Sequence, residues 1–291
     1  MIRPLLVLWV AVTLVFFALR VLPGDAVLTT HRNSSPQQLE TIRTELGLTQ
    51  PLSVQYGGYL LQLAQGDLGI SLTSYQPVTK VIAVRLVPTL ALGLSAFGVA
   101  TTLGMLLGVI SSLGGWLGRF ADMAILFSQA VPFYITAIVA VIIFSVELQW
   151  LPASGSSSPV HLILPAATLG FHTSGSIARV LSANLREAYQ QPYMLTAQAK
   201  GLPPIDLFDH AFRIALLPTL SVLALQAGFL LSSTVIVEVM FSRRGVGSLL
   251  YQSVLDRDYP VVQALTLLGA STYLAANGVS QLARRQLDPR L

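Results

Sequence analysis

Apolar residues in this chain run in blocks and do not alternate or recur along one helical stripe. Leu5 to Leu19 is uncharged up to Arg20, Leu86 to Gly118 carries no charge, and Met123 to Val146 is bracketed by Asp122 and Glu147. Further blocks cover Ile214 to Val237 and Tyr259 to Ala283, the second flanked by Asp258 and Arg284. His161 to Ile177 is a weaker block, with two histidines and several serines and glycines. A bilayer core takes about 20 apolar residues per helix. Each block is therefore expected to be a transmembrane helix, the second over Thr89 to Ile110. The expected fold is an all-α membrane protein with six transmembrane helices. The first block starts after Arg3 and lacks a small-residue cleavage site, because LRVLPGD follows it, so it reads as an uncleaved span.

The polar stretches between blocks carry helix signals of their own. In NSSPQQLETIRTELGL, Ser35 is placed as an N-cap, Pro36 at the first helical position, Gln38 as its capping-box partner and Gly47 just past the end. A second short helix, about Leu52 to Ala64, is expected to end at Gly66, and GDLGISL reads as turn and extended chain. From Ser182 to Lys200 the residues favour helix, interrupted only at Pro192. Gly201 then sits where a left-handed residue ends a helix, and Pro203-Pro204 forbid continuation. Asp206 or Asp209 suits the positive end of the helix that restarts there. The result is a polar helical hairpin with a Lys200-Gly201 corner, presenting Leu202, Ile205, Leu207 and Phe208. An apolar face outside lipid needs a partner.

Composition agrees with a membrane chain. Of 291 residues, 53% are hydrophobic and 10% charged, against roughly 25% charged in soluble domains. The net charge of +4 comes from scattered basic residues, which excludes a nucleic-acid face. Cysteine is absent, which removes disulfides, thiolate metal sites and thiol nucleophiles. With both termini cytoplasmic, nine of the 17 basic residues fall inside and eight outside. Arg20, Arg32, Arg43, Lys80 and Arg85 are among the outer ones. Four of the eight lie in the long first loop, where the positive-inside rule loses force; nine against four then favours cytoplasmic termini.

Chemistry of the chain's own is hard to find. Lys80 precedes Val81 and Lys200 precedes Gly201, so no Gly-Lys-Ser/Thr phosphate loop exists. His31, His161, His172 and His210 show no metal-ligand spacing. His172 and Ser176 share a helical face, as an intramembrane hydrolase would require, but HTSG lacks the Gly two positions before Ser174 that a Gly-x-Ser-Gly motif needs, so bonding to neighbouring helices or lining a polar pathway is the favoured role. An ion-driven carrier is the other rival, although no inverted pair of broken helices is visible.

Eight stretches, in order, resemble one family: RVLPGDAV, LGLTQPLSVQY, GDLGISL, WLPASG, HLILPAATLG, TAQAKGL, RDYPVVQA and LDPRL. They are similar to the dipeptide, oligopeptide and nickel branch of binding-protein-dependent ABC importer permeases, and EAYQQPYMLTAQAKGL resembles their cytoplasmic EAA loop. That resemblance implies a type I importer transmembrane domain. Residues 1–23 would hold the first helix, 24–85 a small extracytoplasmic helical segment, 86–283 the permease domain with its loop at 182–218, and 284–291 a cytoplasmic tail. It implies that Glu187, Ala188, Thr196, Ala197, Ala199, Lys200, Gly201, Leu202 and Pro218 couple to an ATPase. Glu238, Phe241, Gly245 and Gly247 become candidates for an outer gate. Pro192, Leu195, Gln198 and Ser242-Arg243-Arg244-Gly245 depart from the family pattern. The implied assembly has a second, homologous permease chain, two ATP-binding subunits holding ATP and Mg, and an extracytoplasmic solute-binding protein in a lipid bilayer. The chain itself would hold no cofactor, metal or catalytic residue and bind no nucleic acid. Small peptides are the implied cargo, with nickel or a metal chelate as the alternative.

Overall fold

The computed structural model describes residues 2–21, 27, 35–45 and 47–287. LPGDA within RVLPGDAV, Arg32 and the terminal DPRL lie outside them. The helices, in order, are α1 (Ile2–Val21), α2 (Pro36–Glu45), α3 (Leu52–Ala64), α4 (Val78–Ser112), α5 (Gly115–Ala130) and α6 (Phe133–Val141), which widens into a π-helical turn at Ile142–Glu147. They continue with α7 (Val160–Tyr189), α8 (Pro192–Ala199), α9 (Pro204–Met240), α10 (Val246–Leu255) and α11 (Tyr259–Leu287). Among the described residues the extended pairing is a single bridge between Ile70 and Pro77. The chain packs as two compact units, residues 1–88 with 244–274 and residues 89–243 with 275–291.

In the first unit the first small helix starts at its expected cap. The Ser35 amide donates to Gln38 Oε1 at 2.9 Å and the Gln38 amide to Ser35 Oγ at 3.4 Å, a reciprocal capping box at the start of α2. Gly47 and Gly66 both adopt positive φ, at 66° and 78°. The α3 helix is pinned to α1 by aromatic packing: fully buried Phe16 lies 5.1 Å from the Tyr56 ring and 5.6 Å from Tyr59. Arg20 stacks over Phe16 at 3.5 Å and donates Nε to Gln55 Oε1 at 2.9 Å. Two of the family-like stretches meet here. Asp258 of RDYP, only 2% exposed, accepts from Ser71 Oγ and from the backbone amides of Leu72 and Thr73 in the loop after GDLG.

The second unit is organised by close contact between α4 and α7. A Cβ added at Gly170 would lie 2.6 Å from Val99 Cβ and 2.9 Å from Ala96 O. One added at Gly104 would lie 2.8 Å from Ile177 Cβ, and one at Gly108 3.0 Å from Ala178 O. Glycine is required at these positions by space, as small residues are wherever helix backbones touch. The contact numbers rise together on both helices, so α4 and α7 run parallel. A core of Leu92, Ala96, Ala137, Leu164, Leu169, Leu230, Val237 and Phe241 joins them to α6 and α9.

The expected third span differs from its prediction. Met123 to Val146 is not one rod but two helices, α5 and α6, bent by 106° at their junction. Val131 is extended (ψ 125°) and Pro132 likewise (ψ 135°). Proline cannot supply the amide that would continue α5, and it forces the residue before it out of helix. Among the described residues, α4 and Pro204–Leu230 of α9 are individually long and apolar enough to cross a membrane, and the bent pair gives a third if it counts as one span.

Candidate functional site

The hairpin expected around Gly201 is present, and its geometry follows from three local stops. Helix α7 ends at Gln190, the chain extends at Gln191 (ψ 146°), and Pro192 opens α8 at its first position. With eight residues, α8 is too short to hold itself helical in water. Its anchor is Met194, fully buried in a cluster with Leu181, Leu185 and Ala188 of α7 and Ala211 and Ala215 of α9. At the far end Gly201 has φ 77°. Its amide donates to Gln198 O at 2.9 Å and the Leu202 amide to Ala197 O at 3.2 Å, the paired bonds of a Schellman stop. Nothing lies within 4 Å of a Cβ built on Gly201, so the backbone angle, not space, demands glycine. Pro203 is then extended (ψ 153°), Pro204 starts α9, and Asp206 sits in the first turn.

Of the expected coupling residues, Glu187, Thr196, Ala199, Lys200 and Gly201 are exposed, Ala197 and Leu202 are half-buried, and Ala188 is buried. Ala188 supports α8 through the Met194 cluster. Pro218 stands apart, inside α9 and about 20 Å from Pro204 by helical rise. The expected apolar face changes composition. Leu207 packs into the Met194 cluster and Phe208 stacks on Phe212 at 5.5 Å. Ile205, 71% exposed, keeps its place on the surface, joined by Leu195 and Tyr193, whose exposure composition alone did not reveal.

At the C-terminal end of α9, Glu238 is 1% exposed and accepts a 2.6 Å hydrogen bond from Thr89 Oγ1. Phe241 is buried in the core and its carbonyl accepts from the Gly155 amide at 2.9 Å. The helix stops through Ser242, a non-glycine residue at φ 48°, with the Arg243 amide donating to Glu238 O at 2.8 Å. Arg243, 6% exposed, donates Nη1 to His161 O at 2.9 Å. Burial lowers the pKa of its guanidinium, and the Glu238 carboxylate opposes that shift. The other two gate candidates belong to the first unit. Gly245 donates its amide to Ser248 Oγ at 3.0 Å ahead of α10, and Gly247 is buried within α10. His172 lies against Phe133 with ring centroids 6.2 Å apart. Ser174 Oγ donates to Phe171 O of its own helix.

Sequence reasoning missed three polar contacts made by long-range pairs. Besides Asp258 and Arg243, Arg186 reaches from α7 to Asp122 of α5 at 3.1 Å and to Ser111 O at 2.8 Å. Only Asp258 had a local signal, an acid just before Tyr-Pro at a helix start, and its carboxylate serves a distant loop instead.

Residues 100–291 match the family described as binding-protein-dependent transport system inner membrane component, and residues 1–93 match the N-terminal family of the same membrane components. The chain belongs to this family. It is a permease subunit of an ABC importer and a multi-pass inner-membrane protein, as the family and its apolar helices require. The glutathione transport system permease protein GsiC of Pectobacterium atrosepticum is 36% identical over 288 residues, covering 98% of this chain and 94% of that protein. GsiC of Escherichia coli strain K12 is 37% identical over 290 residues, with 98% and 94% covered. Among solved structures, an amino acid ABC transporter crystallised with histidines matches 72% of this permease and 94% of its own chain, at TM-score 0.57 and 16% identity. That likeness concerns the fold. The family's transport subunits take their energy from partner ATPases, in keeping with the missing phosphate loop.

Proposed function

We propose that this permease forms half of a pathway importing small peptides, with α8 and the Lys200-Gly201 corner docking on a cytoplasmic ATP-binding subunit. The carrying observation is the corner itself. An eight-residue helix, held by one buried methionine and stopped by a left-handed glycine, projects Lys200 and Ala199 into the open. Such an element is stiff enough to push and be pushed. ATP binding would draw two ATPase subunits together, carry the corner with them, and turn the helices between inward- and outward-open forms. ATP and Mg belong to those subunits.

The proposed topology has six spans and both termini in the cytoplasm. The parallel course of α4 and α7 supports one crossing between those two helices, because helices two crossings apart must point the same way. The bent α5–α6 pair serves as the single crossing between them. The corner would then be cytoplasmic, α2 and α3 extracytoplasmic, and the Glu238–Arg243 knot at the outer face, where Glu238 and Phe241 contribute to the outer gate. A second, homologous permease completes the pathway, and a solute-binding protein delivers cargo. Peptides are favoured over nickel because the GsiC relatives are named for glutathione transport. The test is uptake of labelled glutathione by the assembled transporter with its binding protein. Competition by other short peptides is expected; nickel uptake in the absence of peptide would contradict the reading.

A further inference from the structure

The C-terminal end of α7 is gripped on two sides by different chemistry. On one side Leu181, Leu185 and Ala188 bury Met194 against α9. On the other, the two N–H groups of a single nitrogen of Arg186, Nη2, are shared among Ser111 O and Ser111 Oγ at 2.8 Å each and Asp122 Oδ1 and Oδ2 at 3.1 Å each. Ser111 Oγ in turn donates to Asp122 Oδ1. Ser111 is fully buried in the last turn of α4, and its carbonyl has only a long 3.4 Å contact from the Gly114 amide besides. A cation at that point meets the negative end of the α4 dipole. Gly118 brings α5 onto the same carbonyl, since a Cβ there would lie 3.2 Å from Ser111 O.

The arginine thus closes the contact series that runs up the parallel pair: Gly170 with Ala96, Gly104 with Ile177, Gly108 with Ala178, then Ser111 with Arg186. The side chains of Arg186 and Asp122 remain 47% and 49% exposed. An exposed ion pair contributes little to stability, so its value here is geometric. The geometry assigns Arg186 as a positioning residue that transmits movement of the α8 corner to the ends of α4 and α5. This rests on the coupling role proposed for that corner. When α8 is displaced, the Met194 cluster moves the end of α7, and the Arg186 lock makes α4 and the α5–α6 pair follow. Without the lock, α7 can move while α5 lags, and the stroke is lost before it reaches the pathway.

The test compares wild type, Arg186→Met and Arg186→Lys in the complete transporter in proteoliposomes, with loaded binding protein and labelled glutathione. Arg186→Met is expected to lower the Vmax of ATP-driven uptake by about two- to thirtyfold, the range by which coupling residues act, with KM, subunit co-purification and basal ATPase retained. Stimulation of ATPase by loaded binding protein should fall in parallel. Because every contact converges on one nitrogen, Arg186→Lys should restore most of the Vmax. Asp122→Asn, which keeps the arginine and the Ser111 carbonyl, should give a smaller loss and serves if the methionine variant does not assemble. Wild-type Vmax in Arg186→Met and Asp122→Asn, or equal losses in the Met and Lys variants, overturns the assignment. A wild-type transporter that takes up no glutathione contradicts the peptide-import reading instead, before any variant is compared.

Discussion

Gly201 shows how much one backbone angle can carry. Its φ of 77° and the open space around its Cβ position separate conformation from crowding. A side chain in left-handed geometry costs about 1–2 kcal/mol, least for Asn and most for a β-branched residue. Substitution by Asn, Ala and Val should therefore reduce glutathione uptake progressively in that order, with membrane insertion intact throughout. Equal uptake by all three would mean the corner is an ordinary loop. The same residue was legible in the chain because Lys-Gly-Leu-Pro-Pro is a local signal, as are Ser35 with Gln38 and the glycines at 47 and 66. Ser242 was not, since serine at positive φ is set by the contacts of Arg243 and Phe241 around it. Arg186, Arg243 and Asp258 stayed hidden for the same reason: their partners lie 75, 82 and 187 residues away.

Among the elements, α8 depends on its anchor more than on its own propensity. Met194→Ala removes a fully buried side chain, a change that costs about 2–5 kcal/mol in well-packed sites. The expected outcome is faster amide hydrogen exchange across residues 192–199, with α7 and α9 protected as before; unchanged exchange in α8 would refute the anchoring role. The α4–α7 contact makes a second prediction. Gly170→Val forces a Cβ to within 2.6 Å of Val99 and should lower the melting temperature of the detergent-solubilised protein, by overpacking worth about 1–3 kcal/mol. Gly98→Ala, on α4 beside Val99 but with nothing within 4 Å of its Cβ position, should leave it unchanged. Apolar blocks in the sequence located these helices well but could not show where they bend. Hydropathy runs unbroken through Val131-Pro132, and only the loss of the proline amide reveals the 106° turn. Polarity likewise understated α7, which continues past Ile177 to Tyr189 because Leu181 and Leu185 find apolar cover in the Met194 cluster.

For the whole molecule, family membership was legible from eight ordered stretches, and the structure explains one reason they go together: GDLGISL and RDYP are joined through Asp258. Orientation was only weakly legible, because basic residues divide almost evenly. Single cysteines in this cysteine-free chain can decide it. A membrane-impermeant thiol reagent applied to intact spheroplasts should label Gln65→Cys and spare Lys200→Cys, whereas the reverse pattern would invert the topology. The claim on which the rest depends is that this chain conducts peptides with energy it does not itself extract. It is tested most directly in proteoliposomes holding the permease pair and both ATP-binding subunits, with binding protein outside and ATP within. The account predicts ATP-dependent accumulation of labelled glutathione that disappears when this chain is omitted or carries Gly201→Val, and no ATP hydrolysis by the purified chain alone. Accumulation that proceeds without ATP, or undiminished with the valine variant, would contradict it.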